Sequence, residues 1–313
     1  PGKAIRDGIL AGYYAETRKK PSIRFYNSQG TAEGAISAYN AAVKDGAQMI
    51  IGPIGQEEVT ALAAMTTSIP ILALNTVDAQ NNKMLLSFSL SPEREGELLA
   101  KRLLTKKHLK ISVFSQNSEP NNRIFASMQK VFNAGGGAII STMPTPRFST
   151  DASTGVITPP VMPANLLQAQ AIVLIMPSND AKSVKSALSL NSASAIPLLA
   201  TASVFDTNNA QLEGIEFMQM PWLIGQSNAA NVYSGQLSKL PSAKSVSGSR
   251  LNAFGVDAWL ISTHLQAWLN NPNGELNGAT GSLHLEPNGT IELKLPWFVI
   301  RNGVPQPADV GQP

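Results

Sequence analysis

The chain has 313 residues, of which 43% are hydrophobic and only 14% charged, with a net charge of +3 and no cysteine. That size supports a large core in one large domain or two ordinary ones, and the plentiful, periodic apolar residues exclude disorder. The missing thiols exclude a disulfide scaffold, Cys-ligated zinc or iron–sulfur and a cysteine nucleophile, and no apolar run approaches the ~20 residues of a membrane span.

Charge is uneven: residues 1–110 carry 14 basic and 10 acidic groups, and residues 111–313 carry 10 and 11. A nucleic-acid binder concentrates far more positive charge on one surface, so no nucleic-acid partner is expected.

In chain order, the residues from Ala4 to Tyr14 read as a helix and Ser22–Asn27 (SIRFYN) as a strand. Apolar residues Ala35, Ile36, Tyr39, Ala42 and Val43 mark a helix over Thr31–Lys44, which Asp45-Gly46 ends. Strands follow at Met49–Ile51, Ile71–Leu74 and Leu85–Leu90, with a helix at Glu57–Thr66. Ser91-Pro92-Glu93 opens another helix, with an N-cap serine, a proline at the first helical position and acids behind it.

The rhythm then restarts: strand Lys110–Ser115, helix Asn122–Phe132, strand Ala138–Met143, a Pro/Ser/Thr-rich loop, strand Ala171–Met176, helix Ala181–Leu190, and strands Ile196–Ala200 and Ile215–Met220. A long helix covers Leu251–Leu269 and is stopped by Pro272-Asn273-Gly274; a hairpin turns at Pro287-Asn288-Gly289, and Phe298–Arg301 is a last strand. Short apolar strands alternating with amphipathic helices predict an α/β protein of two Rossmann-like lobes with parallel sheets. The expected division is lobe 1 over 1–105, lobe 2 over 106–240, a return helix to lobe 1 over 241–275, and a C-terminal hairpin and last strand over 276–313 joining lobe 2. A doubly wound lobe normally begins with a buried strand, whereas this sequence opens on a turn before a helix, so the first strand of lobe 1 is expected to be missing.

Catalytic patterns are incomplete. Ser127-Met128-Gln129-Lys130 matches S-x-x-K without its partner motifs, and Gly225-Gln226-Ser227-Asn228-Ala229 falls one residue short of a nucleophile elbow. Asp257 and His264 follow in triad order, but seven residues apart on one helix they lie about 10 Å from each other. Gly135-Gly136-Gly137 lies between helix and strand, the wrong order for a phosphate cradle, and reads as a helix end. His108, His264 and His284 share no ligand spacing. The basic run Lys106–Lys110 reads as a solvated helix end, and Glu57-Glu58 as acids complementing a helix dipole. No enzyme activity, cofactor or metal is expected.

Five short stretches, in order over about 230 residues, resemble one family. They are Ile71-Leu72-Ala73-Leu74-Asn75, Phe88-Ser89-Leu90-Ser91-Pro92-Glu93, Gly255-Val256-Asp257-Ala258-Trp259, Gly278-Ala279-Thr280-Gly281-Ser282-Leu283 and Leu295-Pro296-Trp297. The pattern resembles the type I periplasmic-binding-protein fold and, more specifically, the C-terminal domain of the LppC family. The resemblance implies a non-catalytic regulator of peptidoglycan synthesis that activates a class A penicillin-binding protein. It also implies the periplasm, with an upstream lipid anchor on the inner face of the outer membrane. The alternative is a solute receptor for a transporter, with a small ligand between the lobes. Gly55, Gln56, Asn75, Thr76, Thr201 and Ser203 are its candidate ligand residues. The loop Gly52–Glu58 holds two acids and no Ser or Thr, which disfavours an amino-acid ligand. Trp259 is expected in the core, and Asp257 as a cap or a pair across the lobe boundary.

Overall fold

The computed structural model describes all residues except 77–81, 156, 159, 226–231, 234, 237, 239, 241–245, 272–273 and 309–313. The chain divides into two compact units. Unit 1 comprises Pro1–Ser91 and Met220–Leu295; unit 2 comprises Pro92–Gln219 and Pro296–Pro313.

In unit 1, helices α1 (Gly2–Ala15), α2 (Ala32–Lys44) and α3 (Gln56–Ala63) alternate with strands β1 (Ile50–Ile51), β2 (Ile71–Ala73) and β3 (Leu85–Phe88). These three strands pair in parallel. The α2 N-cap is Thr31, whose hydroxyl accepts the Gly34 N–H, and Glu33 and Lys44 complement the dipole at its two ends. Ala35, Tyr39, Val59 and Leu62 of α2 and α3 bury against Ile71, Ala73 and Leu85 of the sheet.

Unit 2 carries helices α4 (Pro92–Thr105), α5 (Glu119–Ala134) and α6 (Ser178–Leu190). Its strands are β4 (Lys110–Ser115), β5 (Ala138–Met143), β8 (Ala171–Ile175), β9 (Leu198–Ala200) and β10 (Glu216–Met218), with a small separate ladder of β6 (Ser149–Thr150) and β7 (Ile157–Thr158). Every residue of β8 is buried, as its uninterrupted apolar run requires in a sheet covered on both faces. The α4 helix packs so closely on α5 that a Cβ at Gly96 would stand 2.3 Å from the Ile124 carbonyl oxygen.

The chain returns to unit 1 through the helical turn α7 (Pro221–Ile224), the long helix α8 (Val246–Asn270) and strands β11 (Glu275–Asn277), β12 (Ser282–Leu285) and β13 (Thr290–Lys294). It ends in unit 2 with β14 (Trp297–Arg301) and β15 (Val304–Pro307). The two large sheets run β1-β2-β3-β13-β12-β11 and β15-β14-β10-β9-β8-β4-β5.

Three sequence expectations need correction. The hairpin β12–β13 does not join the second sheet: β13 pairs in parallel with β3 in unit 1, and only β14 and β15 extend the sheet of unit 2. Local turn chemistry fixes a hairpin but not the edge that receives it. The first boundary lies at Ser91/Pro92 rather than after residue 105, because α4 packs on α5, and the second lies at Gln219/Met220 rather than after residue 240. The segment Ser22–Asn27 is not a strand, and Phe25 and Tyr26 stand exposed. Its β-forming composition has no neighbouring strand to pair with, and strand propensity alone does not hold an isolated segment.

Two helices of unit 1 touch backbone to backbone. A Cβ at Gly8 on α1 would fall 2.1 Å from Asn252 O, and one at Gly255 on α8 would fall 2.1 Å from Ile5 O. No larger residue fits at either position without separating α1 from α8.

Candidate functional site

Two groups of polar residues sit at carboxyl ends of parallel strands, where open α/β sheets bind ligands. In unit 1 the loop after β1 meets the loop after β2. The Leu74 N–H donates to Pro53 O at 2.9 Å, and Asn75 Nδ2 donates to Ile54 O at 2.8 Å. Asn75 Oδ1 accepts the Thr76 N–H at 2.8 Å, and Gln56 Nε2 donates to Thr76 O at 3.1 Å. Glu58, buried in the first turn of α3, accepts the Gly55 N–H at 3.0 Å. Gly55, Gln56, Asn75 and Thr76 are therefore brought together, within unit 1.

Asn75 uses one end of its amide to reach the loop after β1 and the other to brace its own loop. Gln56 Oε1 and the Thr76 hydroxyl have no hydrogen-bond partner among the described residues, and both residues are exposed. The neighbouring Glu57 is exposed too. This corner offers hydrogen bonds to a neutral or cationic group and repels an anion.

In unit 2, Thr201 and Ser203 follow β9. Their hydroxyls lie 2.8 Å apart, and Ser203 Oγ donates to Met176 O at 3.0 Å. Glu95 Oε2 accepts the Ala202 N–H at 3.2 Å, and Gln219 Nε2 donates to Ala202 O at 3.0 Å. Thr201 is fully buried and Ser203 exposed. This pair is a folded loop anchor with one hydroxyl at the surface.

Among the described residues the catalytic fragments do not assemble. Ser127 Oγ donates to Glu93 O at 3.0 Å, fastening α5 to α4. His264 Nδ1 lies 2.9 Å from Leu260 O, one turn back on its own helix. Ser227 lies outside the described residues.

Asp257 has a different role from a triad member. It is fully buried on α8, and both carboxylate oxygens face the loop before β12. Oδ1 accepts the Ala279 N–H at 2.6 Å, and Oδ2 accepts the Thr280 N–H at 2.8 Å and the Thr280 hydroxyl at 2.5 Å. Burial pushes this carboxyl up to about 6, against the three hydrogen bonds that favour its charged form. The pairing lies within unit 1, not across a boundary.

The sequence of this chain matches the family model described as "LppC putative lipoprotein" over residues 1–141 and 161–303. The chain belongs to the LppC lipoprotein family.

LppC-family relatives named penicillin-binding protein activator LpoA are similar over nearly the whole chain. One from Serratia proteamaculans is 26% identical over 91% of this chain and 47% of its own length. One from Photobacterium profundum is 26% identical over 98% of this chain and 54% of its own. The chain thus spans about half the length of the curated relatives it matches. Among solved structures, the C-domain of Haemophilus influenzae LpoA, described as a regulator of PBP1A, superposes with a TM-score of 0.74 at 18% identity, covering 98% of this chain and 96% of that one. A Chromobacterium violaceum protein described as a "putative branched-chain amino acid ABC transporter" superposes at 0.72 with 25% identity, covering 95% and 93%. The LppC-family chain therefore has the periplasmic-binding-protein-like architecture that its strand and helix order predicts.

In this LppC-family chain the Asp257–Thr280 link joins two of the five resembling stretches. Both stretches stand out in the sequence, but nothing in their local pattern pairs them. A buried Asp after Gly-Val, followed later by a Gly-x-Thr-Gly loop rich in backbone donors, is the signal that was available. A second unforeseen cluster ties α4 to the unit 2 sheet: Arg102 Nε donates to Glu216 Oε1 at 2.6 Å, its guanidinium lies 5.2 Å from the Trp297 ring centre, and Lys106 bonds the other oxygen of Glu216.

Proposed function

We propose that this chain is the regulatory domain of a periplasmic lipoprotein that binds a class A penicillin-binding protein and raises its activity, itself catalysing nothing. The lipid anchor would hold it to the inner face of the outer membrane. The observation that carries this reading is the LppC family match across both units, joined to relatives named as penicillin-binding protein activators. The engagement of Ser127 and His264 with backbone carbonyls supports a protein that works by contact.

Activation of this kind is a difference in affinity. The domain raises synthase activity only if it binds the active conformation more tightly than the inactive one, and a tenfold shift of that balance needs about 1.4 kcal/mol. The test titrates this domain onto the periplasmic portion of a class A synthase and follows both binding and glycan crosslinking. Saturable binding with faster crosslinking is expected. Absence of binding by this domain, and by a longer chain containing it, rejects the reading.

The likeness to a transporter protein favours one second reading, capture of a small polar solute. Its ligand groups would be Gly55, Gln56, Asn75 and Thr76 of unit 1. A metabolite screen by thermal shift tests it. A hit that disappears in Gln56→Ala and Thr76→Ala supports it, and no stabilisation by any polar metabolite rejects it.

A further inference from the structure

A pocket of about 620 Å³ opens in unit 2 at the carboxyl ends of the parallel strands β4 and β5. Its walls are the last residues of those strands, the loop Gln116-Asn117, and residues 144–147 and 160–162 at the two feet of the proline-rich arm that carries β6 and β7. We propose that this pocket binds a carboxylate carried on an apolar body, with Arg147 as its counter-ion.

Charge decides the polar end of the ligand. Arg147 is the single charged group among the walls. It is exposed and makes no ion pair among the described residues. Glu119, which opens α5 two residues after Asn117, is paired instead with Arg123 at 3.4 Å. A guanidinium without an acid of its own presents a planar fork of donors that fits a carboxylate.

Neutral hydrogen-bonding groups share the same walls. Asn117 Oδ1 accepts from Asn122 Nδ2 at 3.1 Å, while Asn117 Nδ2 and the Gln116 carboxamide have no partner among the described residues. The Thr145 hydroxyl lacks one too, although its oxygen is closed to solvent. An unpaired buried hydroxyl is a cost that a bound polar group removes.

The apolar end follows from the remaining walls, which include Phe114, Met143 and Val161. Val161 is 97% exposed, and a ligand body seated in the pocket covers it. Apolar walls with a few polar groups to fix orientation, at this volume, are the usual make-up of a small-molecule site.

The walls are held in place by their own contacts. Pro144, Pro146 and Pro160 have fixed φ angles. The ladder of β6 and β7 closes the arm, and Asp151 Oδ1 at its tip accepts the Ser153 and Thr154 N–H groups at 2.8 and 2.9 Å. Asn165 Nδ2 donates to Ile140 O at 2.8 Å and ties the chain beyond the arm to β5. On the other wall the Gln116 N–H donates to Ile175 O at 3.1 Å, and Gln116 O accepts from Asn121 Nδ2 at 2.9 Å. Fewer groups to order on binding leave more of the interaction as affinity. The LppC model matches the chain up to residue 141 and again from 161, so walls 143–147 and 160 come from the segment between. The pocket is therefore this chain's addition to the family scaffold.

The test titrates hexanoate into the isotope-labelled chain and follows the backbone amides of Gln116, Asn117, Thr145 and Arg147 by NMR. Hexanol and hexylamine keep the apolar body and change the charge. Saturable shifts with a Kd below about 1 mM are expected for the acid, with about tenfold weaker binding or less for the alcohol and the amine. Arg147→Gln, at an exposed position, is expected to keep the fold and weaken hexanoate binding about tenfold. N-acetyl-leucyl-leucine and its C-terminal amide extend the comparison to a peptide end. Tighter binding of this acid than of hexanoate assigns the carboxylate to a chain terminus, and weaker binding assigns it to a free small acid. No saturable shift with either acid, equal binding of hexanoate and hexanol, or undiminished binding in Arg147→Gln overturns the proposal.

Discussion

Asp257 on α8 receives the Thr280 hydroxyl at 2.5 Å and the Thr280 backbone N–H at 2.8 Å on the same carboxylate oxygen, in a position closed to solvent. The link spans 23 residues of sequence. It fixes the loop that delivers β12 and β13 to the edge of β3, so the unit 1 sheet is extended by a hairpin that α8 holds in place.

Asp257 makes stability depend on pH in a specific direction. Burial lifts its carboxyl from the ordinary 3.8 to about 6, so the folded chain holds this proton more tightly than the unfolded chain. Its contribution is fully present below about pH 4 and is lost as pH rises through 6. The difference amounts to about 3 kcal/mol. Asp257→Asn is expected to flatten this slope, measured by urea unfolding at several pH values between 4 and 7.5. An unchanged slope in the variant contradicts the assignment. Asp257→Ala leaves the Ala279 and Thr280 donors unpaired and is expected to cost about 3 kcal/mol at neutral pH.

Gly278 is required by the same carboxylate. A Cβ there would stand 2.5 Å from Asp257 Oδ2 and 2.6 Å from its Cγ, and the carboxylate is clamped by three hydrogen bonds. Gly278→Ala is expected to destabilise unit 1 by about 1–3 kcal/mol. Thermal unfolding checks this, and combining it with Asp257→Ala should recover part of the loss by removing the obstacle. Full additivity of the two changes would rule out the clash.

Arg102 anchors α4 to the unit 2 sheet through Glu216 and Trp297, and the side chains of the ion pair are both 13% exposed. Arg102→Ala leaves the largely buried Glu216 with Lys106 as its remaining ion pair among the described residues and is expected to cost about 3 kcal/mol. Arg102→Lys keeps the charge but loses the planar contact with the Trp297 ring, so it should recover only part of that loss. Calorimetry should place the change in the transition of unit 2. Equal stability of Arg102→Lys and the unsubstituted chain would show that the planar contact contributes nothing.

Ser127 is a structural hydroxyl despite its S-x-x-K setting. Ser127→Ala removes its bond to Glu93 O and is expected to cost about 1 kcal/mol in unfolding free energy. A fluorescent penicillin should label neither form. Covalent labelling that disappears in Ser127→Ala would reverse this reading.

Much of the fold was legible because it is written in local periodicity. The all-apolar run Ala171–Ile175 becomes a central buried strand, and the Ser91-Pro92-Glu93 start becomes α4. The candidate polar residues were legible as loop positions after strands, but not their engagement: that Asn75 spends its amide on Ile54 and Thr76 depends on the second loop being adjacent. The segment Ser22–Asn27 shows the same limit from the other side, since its strand composition finds no neighbouring strand to pair with.

By itself, the sequence determined the alternation of strand and helix, the family and the residues that turn the chain. These depend on side-chain chemistry within a few neighbouring positions. The tertiary structure decided which sheet receives the hairpin, why Gly8, Gly255 and Gly278 tolerate no side chain, and what a buried Asp257 binds. Those outcomes come from close approach and desolvation between segments far apart in sequence, where a few tenths of an ångström or one closed solvent path changes the energy by more than local propensity does.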